Sequence, residues 1–210
     1  MKRKILVSVD DGSVLDLRLS GLFKKYKIPA VFYIAPNYSD LLDEEIKEIS
    51  TLFEIGAHTM NHPPDLKRLD KKQLDSEVFG SKAYLEDVIK KPVTKFCYPR
   101  GRHNQQVKDT VKLAGFKEAR TTIVLSTDFP KDPFETNTSI HVHPNRKEYK
   151  DSNWVELGYK LFDKVIKEGG RFEMWMHSWE IEKYNLWMFV DDFLWYMDDE
   201  MKKINYKRKI

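Results

Sequence analysis

The sequence predicts a single α/β domain over residues 1–210, built on a mainly parallel sheet that forms an incomplete or irregular barrel. Short apolar runs alternate with helical patterns along the chain and give about seven β units joined by right-handed crossovers. The chain has 210 residues, whereas a closed eight-unit barrel usually needs about 250. The length therefore favours an incomplete barrel, and an open doubly wound sheet is the alternative.

The amino-terminal half supplies four of the predicted strands. Each is a short, mostly apolar run that is followed by apolar residues at helical spacing. The predicted strands cover residues 5–7, 30–34, 54–57 and 93–98. The predicted helices cover residues 15–26, 46–53, 74–89 and 107–114.

The carboxy-terminal half continues the alternation. The predicted strands cover residues 116–121, 139–142 and 172–176, and the predicted helices cover residues 154–166 and 186–201. Prolines and aspartates between residues 124 and 137 predict a surface excursion. We find no internal repeat, and we expect one domain because 210 residues are few for two.

Composition and charge exclude several classes of function. The hydrophobic fraction of 41% supports a packed core, and the net charge of only +3 gives no reason to expect nucleic acid as a partner. The single cysteine, Cys97, excludes an internal disulfide and a cysteine-rich zinc site. No segment has the length to span a bilayer, and the first apolar run is interrupted by Asp10 and Asp11 before it could act as a signal peptide. We therefore expect a cytoplasmic protein.

Two carboxylates, Asp10 and Asp11, follow the first predicted strand and precede Gly12. Ligands of α/β folds bind at the carboxyl ends of parallel strands, so this pair is a candidate site. The alternative is an ordinary turn, because Asp-Gly favours tight turns.

Two imidazoles, His58 and His62, lie four residues apart after the third predicted strand. This spacing allows both to bind one metal ion from a tight turn, and a strand-end carboxylate would complete a hydrolytic site with an open position. The alternative is a surface loop that happens to contain histidines.

Together these segments resemble the polysaccharide deacetylases of carbohydrate esterase family 4. Residues 8–12, Ser-Val-Asp-Asp-Gly, are similar to the first family motif, Thr-Phe-Asp-Asp-Gly, and residues 58–62 match the second, His-(Ser/Thr)-x-x-His. Residues 96–101, Phe-Cys-Tyr-Pro-Arg-Gly, resemble a Phe-x-Tyr-Pro variant of the third motif, and residues 174–180 resemble the last, a strand that ends in His. The order of the motifs agrees from residue 4 to about residue 180.

The resemblance implies a distorted (β/α)7-type barrel and a divalent metal, zinc before cobalt, nickel or manganese. It implies that Asp11, His58 and His62 bind the metal, that Asp10 is the general base and that His177 is the general acid. Asp10 would accept the proton of the metal-bound water, which attacks an acetyl carbonyl. A backbone amide near the third motif would stabilise the oxyanion. The candidate supporting or substrate-binding residues of this segment are Tyr98, Pro99, Arg100 and Gly101.

The chain departs from the family pattern in two places. Cys97 stands where many members carry an arginine that pairs with the base, and no tryptophan-containing fourth motif is evident. Arg120, at the end of a predicted strand, is our candidate to replace the arginine, and Glu180 is our candidate to orient His177. Trp179, in a predicted loop beside His177, is a candidate for substrate contact.

Two other histidines, His141 and His143, alternate on one predicted strand. Because no carboxylate follows closely, core or surface positions are favoured over a second metal site.

The function implied is removal of N-acetyl or O-acetyl groups from an oligo- or polysaccharide substrate. One alternative is hydrolysis of small amides such as ureido compounds on the same fold. A second is a non-catalytic carbohydrate-binding relative that has kept the site.

Overall fold

Seven parallel strands and seven α-helices make up residues 1–207, the part of the chain that this computed structural model describes. The strands are β1 (Arg3–Asp11), β2 (Ala30–Ile34), β3 (Glu54–Ala57), β4 (Lys95–Cys97), β5 (Glu118–Arg120), β6 (Ile140–His141) and β7 (Gly170–Met176). The helices are α1 (Asp16–Lys25), α2 (Asp43–Ser50), α3 (Lys71–Ile89), α4 (Gln105–Leu113), α5 (Trp154–Glu168), α6 (Ser178–Lys183) and α7 (Trp187–Lys203). The predicted domain boundary at residue 210 lies outside the described residues.

All strand pairings are parallel, and the strand order in the sheet is β5-β4-β3-β2-β1-β7-β6. The predicted parallel sheet is therefore confirmed. Because the strands run in one direction, their carboxyl ends share one edge of the sheet. The residues at or just beyond that edge include Asp10, Asp11, His58, Arg120 and His177.

The sheet curls until its distant strands meet. Lys4 of β1 lies 3.1 Å from Glu118 of β5, although three strands separate β1 from β5 in the sheet. The opening between β5 and β6 is covered by the segment of residues 121–139, in which Leu125 N–H donates to the Ser139 carbonyl (2.9 Å). The incomplete barrel predicted from the sequence is thus confirmed.

The segment of residues 124–137 is only partly the surface excursion that its prolines predict. Thr127 and Thr136 are buried, and the Thr127 carbonyl accepts a hydrogen bond from the Arg171 N–H of β7 (2.9 Å). The segment therefore lies against the barrel, because its backbone supplies hydrogen bonds to the neighbouring strands.

Side chains alternate along β1 between two layers. Ile5, Val7 and Val9 pack with the helices in the main hydrophobic core. Leu6 faces the barrel lumen, in a small apolar cluster with residues of β2 and β4, and Ser8 of the same face bonds to a carboxylate of β7. The lumen thus combines apolar and charged side chains.

Three of the helices begin after an Asp or Asn residue that caps them. The side chains of Asp70, Asn104 and Asn153 cap α3, α4 and α5 by accepting backbone N–H bonds. Sequence reasoning missed α6, a helix of six residues that begins directly after His177. Within residues 1–207, none of the helices combines the length and apolar character that crossing a membrane requires.

Candidate active site

Asp10 and Asp11 end β1 at the carboxyl edge of the sheet, and both are buried. Positive φ angles at Asp11 (83°) and Gly12 (87°) turn the chain sharply after the strand. A Cβ atom at Gly12 would lie 2.5 Å from Ser39 Oγ, so this position requires glycine. The turn directs the two adjacent carboxylates to different partners.

The carboxylate of Asp11 faces two imidazoles. Its Oδ1 lies 3.7 Å from His58 Nε2 and 3.6 Å from His62 Nε2. This oxygen is buried, and within residues 1–207 it has no hydrogen-bond partner. A buried acceptor without a partner is costly, and a cation between it and the two ring nitrogens would remove that cost. Because two histidines and one carboxylate are a typical catalytic zinc donor set, these residues fit a divalent metal.

Both imidazoles are held in the neutral form that binds metals. His58 Nδ1 lies 2.7 Å from the Cys97 carbonyl, and its N–H donates to that oxygen, which leaves the Nε2 lone pair facing Asp11. Burial lowers the pKa of His58. Burial, assisted by the charge of His58, lowers the pKa of His62 to about 4. Neutral imidazoles at neutral pH suit the proposed ligands.

The turn that ends in His62 is supported by Glu77 of α3. The backbone N–H groups of Met60 and Asn61 both donate to Glu77 Oε2 (2.9 Å each), and the Asn61 side chain donates to Oε1 (2.7 Å). Positive φ angles at Thr59 (67°) and His62 (51°) are unfavourable for these residue types. The three hydrogen bonds to Glu77 therefore fix a strained turn.

Asp10 is paired with Arg120 inside the barrel. Both carboxylate oxygens contact Nη2 of the guanidinium, and the same nitrogen lies 2.9 Å from Cys97 Sγ. Burial opposes ionisation of Asp10, but the charges of Arg120, His58 and His177 outweigh burial and lower its pKa. Burial raises the pKa of the Cys97 thiol well above its usual range. Asp10 is therefore ionised at neutral pH, and Cys97 is its neutral neighbour.

Arg120 is held in turn by residues of β1 and β7. Its Nε lies 3.6 Å from Glu173 Oε1, which also accepts a hydrogen bond from Ser8 Oγ (2.8 Å). The other oxygen of Glu173 pairs with Arg171. The guanidinium of Arg120 also lies over the Trp175 ring, with its carbon 5.0 Å from the centroid. A chain of alternating charges therefore supports Asp10.

His177 lies on the other side of Asp11 and is paired with Glu180. His177 Nδ1 lies 2.6 Å from Glu180 Oε2, and His177 Nε2 lies 3.7 Å from Asp11 Oδ2. Burial lowers the pKa of His177, but the hydrogen bond to Glu180 and the charges of Asp11 and Asp10 outweigh burial and raise it. The protonated imidazole is therefore favoured.

His141 donates to the same carboxylate of Glu180. Its Nε2 lies 2.9 Å from Glu180 Oε2, while its Nδ1 accepts from Arg146 (3.1 Å). Burial lowers the pKa of His141 to about 3, so this ring is neutral. His141 also stacks on Trp175 at 3.6 Å between centroids. His141 is buried, one of the two kinds of position predicted for it. The carboxylate that the sequence did not offer nearby is Glu180, so His141 belongs to the surroundings of His177.

Two aromatic residues border the mouth of the site. Trp179 lies in the first turn of α6, not in the predicted loop, because the chain becomes helical directly after His177. Its indole N–H donates to Asp11 Oδ2 (3.0 Å), and 39% of the residue is exposed. Tyr38 stacks on His62 with ring centroids 4.8 Å apart. A cavity of about 410 Å³ lies between Tyr38 and Trp179 and reaches Asp11.

The third-motif segment follows β4 beside the site. The Tyr98 ring is buried, its hydroxyl donates to the Phe134 carbonyl (3.1 Å), and its backbone N–H donates to the Arg120 carbonyl (3.1 Å). Pro99 has no N–H. The amide of Tyr98 is thus already used by the sheet, which leaves the Arg100 amide as the candidate for the oxyanion donor expected in this segment.

Arg100 and Gly101 form a tight turn after Pro99. Arg100 has a positive φ of 56°, and Gly101 has a positive φ of 69°. A Cβ atom at Gly101 would lie 2.4 Å from Thr122 Oγ1, so glycine is required there. The turn places Gly101 against Thr122, at the start of residues 121–139, which close the barrel.

Comparison with known proteins identifies the family of the chain. A sequence profile described as polysaccharide deacetylase matches residues 1–119, more than half of the chain. The chain belongs to the polysaccharide deacetylase family. A relative from Bacillus subtilis, described as putative polysaccharide deacetylase YxkH, is 27% identical over 124 residues, which are 56% of this chain and 44% of the relative. The chain therefore spans less than half of that relative.

Solved structures of the family share the fold. A family 4 carbohydrate esterase from Streptomyces lividans in complex with acetate gives a TM-score of 0.66 at 13% identity, covering 96% of this chain and 88% of the esterase. BA3943 from Bacillus anthracis, a family 4 pseudoenzyme, gives 0.64 at 15% identity, covering 98% of this chain and 63% of that protein. At these identities the likeness establishes the fold, which matches the distorted (β/α)7-type barrel.

Several residues around this deacetylase-family site were missed from the sequence. Glu77 could have been found from the sequence, because an acidic residue between Leu74 and Val78 lies on the buried face of α3. Glu173 could have been found in the same way, because it is an acidic residue within an otherwise apolar strand. Such buried acids need partners, but the partners come from other elements of the barrel.

Proposed function

We propose that this member of the polysaccharide deacetylase family is a metal-dependent hydrolase that removes N-acetyl groups from an oligo- or polysaccharide. The observation that carries the proposal is the buried Asp11 Oδ1, which lies between the Nε2 atoms of His58 and His62 and has no hydrogen-bond partner within residues 1–207. Asp10 and His177 lie on either side of it. A divalent ion held by those three residues, zinc in the first place, would supply Lewis acidity for the acetyl carbonyl and the attacking water.

Asp10 is the proposed general base. Its lowered pKa keeps the carboxylate ionised and able to accept the proton that the attacking water loses. Asp11 cannot take this role while it binds a metal. Arg120 supplies the positive charge that Cys97 cannot supply, and it holds both oxygens of Asp10 in place. The cost of this arrangement is that Asp10 is a weak base.

His177 is the proposed general acid. Its Nδ1–H is committed to Glu180, so Nε2, which faces Asp11 at 3.7 Å, is the nitrogen that can reach a substrate. The raised pKa of His177 favours the protonated form of the ring. Nε2–H then donates its proton to the departing amine nitrogen, and the acetyl carbon leaves as acetate. The Arg100 amide is the proposed donor to the oxyanion.

The site mouth favours a sugar substrate over a small amide. The rings of Tyr38 and Trp179 border an open cavity of about 410 Å³, and Asp40 and Ser13 line it between them. Aromatic faces next to polar groups suit a pyranose ring, which has an apolar face and hydroxyl edges. The open cavity admits a ring that belongs to a longer chain.

The test is acetate release from N-acetylated chitooligosaccharides, measured beside O-acetylated xylooligosaccharides and a panel of small ureido amides. We expect release from the N-acetylated sugars, and a loss of roughly 100-fold or more in Asp10→Asn, since general bases contribute about 10²–10⁴-fold. Turnover of only the ureido compounds would establish the small-amide alternative. Tight sugar binding without acetate release by the wild type would establish a non-catalytic relative. The pseudoenzyme BA3943 has the same fold.

A further inference from the structure

A larger cavity, of about 1090 Å³, opens at the other end of the barrel. It is lined by the first residues of six strands, among them Lys4 of β1, Lys95 of β4 and Arg171 of β7. Lys4 precedes Asp10 by six strand residues, which corresponds to about 20 Å at a rise of roughly 3.3 Å per residue. This amino-end cavity is therefore separate from the deacetylase site.

Positive charge is concentrated in the amino-end cavity. The whole chain is nearly balanced, with 36 Lys and Arg against 33 Asp and Glu, but seven basic residues and only two carboxylates line this space. The basic residues are Lys2, Arg3, Lys4, Lys91, Lys95, Arg171 and Lys207. The carboxylates are Glu54 and Glu118. A concave surface with this imbalance attracts anions.

The cations at the base of the cavity lie next to carboxylates. Lys95 Nζ is 2.7 Å from Glu54 Oε2, and Arg171 pairs with Glu173. Lys4 Nζ lies 3.1 Å from Glu118 Oε2, and Lys95 Nζ lies 3.4 Å from Glu118 Oε1. Burial lowers the pKa of Lys4, and the charges of Arg171 and Lys95 add to that effect. The proximity of these like charges is unfavourable, and an anion among them would relieve it.

Arg171 adds an unused donor to the same cavity. The side chain is only 4% exposed, and one guanidinium nitrogen pairs with Glu173. Its Nε–H is buried and has no partner in the part of the chain that the structure describes. A buried N–H without an acceptor is costly, so Arg171 has capacity for an anionic oxygen.

The rim carries further cations and an aromatic wall. Lys2 Nζ lies 4.6 Å from the centroid of the half-buried Phe129 ring, and Lys91 Nζ donates to the Ser50 carbonyl (2.7 Å). Neither lysine is paired with a carboxylate within residues 1–207. The cavity therefore offers charge at its base and a mixed apolar and cationic surface near its opening.

We propose that the amino-end cavity binds a phosphorylated small molecule, with the phosphate at Lys4, Lys95 and Arg171 and the rest of the molecule against Phe129 and the rim. Two lysines and an arginine suit a dianionic phosphate, because each supplies a charge-assisted hydrogen bond. The volume exceeds that of inorganic phosphate alone and slightly exceeds the range of about 300–1,000 Å³ that is usual for small-molecule sites. The concave shape of the cavity favours a small ligand over the phosphates of a nucleic acid.

The test is isothermal titration calorimetry of the metal-loaded protein at constant ionic strength. The probes are inorganic phosphate and adenosine monophosphate, with adenosine as the uncharged control. We expect both anions to bind and adenosine not to bind. Tighter binding of the nucleotide would support a contact between the rest of the molecule and Phe129. Equal binding would overturn that part of the proposal and leave inorganic phosphate as the ligand. The absence of heat with both anions at millimolar concentration would overturn the proposal.

Two variants separate this site from other phosphate contacts. Lys4→Gln/Lys91→Gln should raise the Kd about tenfold or more, since about 1.4 kcal/mol is tenfold, whereas Lys160→Gln/Lys164→Gln on α5 makes the same charge change and should leave it unchanged. Lys2→Gln/Lys91→Gln, at exposed positions, tests the rim without disturbing Glu118 and should also weaken binding. His58→Ala should retain binding. Equal losses in the α5 control, or loss in His58→Ala, would contradict the assignment.

Discussion

Arg120→Met removes the cation that Asp10 and Glu173 share inside the barrel. Arg120 and both carboxylates are at most 2% exposed, so water cannot replace the lost charge. Breaking a buried ion pair typically costs about 3–5 kcal/mol, and Met approximately preserves the apolar volume. We therefore expect the free energy of unfolding to fall by about 3–5 kcal/mol.

Urea unfolding at pH 7 of the wild type, Arg120→Met, Asp10→Asn and the double variant would test this expectation. Asp10→Asn removes one of the two carboxylates that Arg120→Met leaves without a cation. The loss of unfolding free energy in the double variant should therefore be smaller than the sum of the losses in the two single variants. Additivity within about 0.5 kcal/mol would refute the coupling between Arg120 and Asp10. In kinetics, losing Arg120 raises the pKa of Asp10, so the acid limb of the pH–rate profile should move to higher pH.

Three further predictions concern acidic residues other than Asp10: Glu180, Glu77 and Asp16. Glu180→Gln keeps a hydrogen-bond acceptor for His177 but removes a negative charge. The pKa of His177 should therefore fall, and the alkaline limb of the pH profile of kcat should move to lower pH. An unmoved limb with unchanged turnover would exclude a role of Glu180 in orienting His177. Glu77→Ala should weaken zinc binding about 10–100-fold in a chelator competition, and unchanged affinity would contradict the support of the histidine turn. Burial raises the pKa of Asp16 from 3.8 to about 8, so the folded state retains a proton that the unfolded state loses and stability should decline between those pH values. Asp16→Asn should flatten that decline in urea unfolding, and identical pH dependence in both proteins would count against it.

The fold could be predicted because its signals are local. Apolar runs and helical spacing identified the strands and most helices, and the length indicated an incomplete barrel. The helix α6 was missed because six residues provide too little periodicity. The closure by residues 121–139 was also missed, since its prolines resemble those of a surface loop while its hydrogen bonds go to distant strands.

The site was predictable where it depends on short motifs and not where it depends on closure of the barrel. Asp10, Asp11, His58, His62 and His177 are brought together by the shared carboxyl edge of parallel strands. Other partners, such as Glu173, Trp175 and His141, come from strands far apart in the chain, and their mutual contacts exist only once the sheet has curled. The roles proposed for Asp10, Arg120 and Glu180 are the ones that the variants above test.

The proposed mechanism requires a divalent metal at Asp11, His58 and His62 for acetyl removal. The most direct test is to strip the protein with a chelator, add zinc, cobalt, nickel or manganese singly, and measure both bound metal and acetate release from chitooligosaccharides. We predict negligible activity in the stripped protein, recovery with one bound equivalent of a restoring metal, and neither tight binding nor recovery in His58→Ala. Full activity in the stripped protein, with no metal detected, would contradict the mechanism.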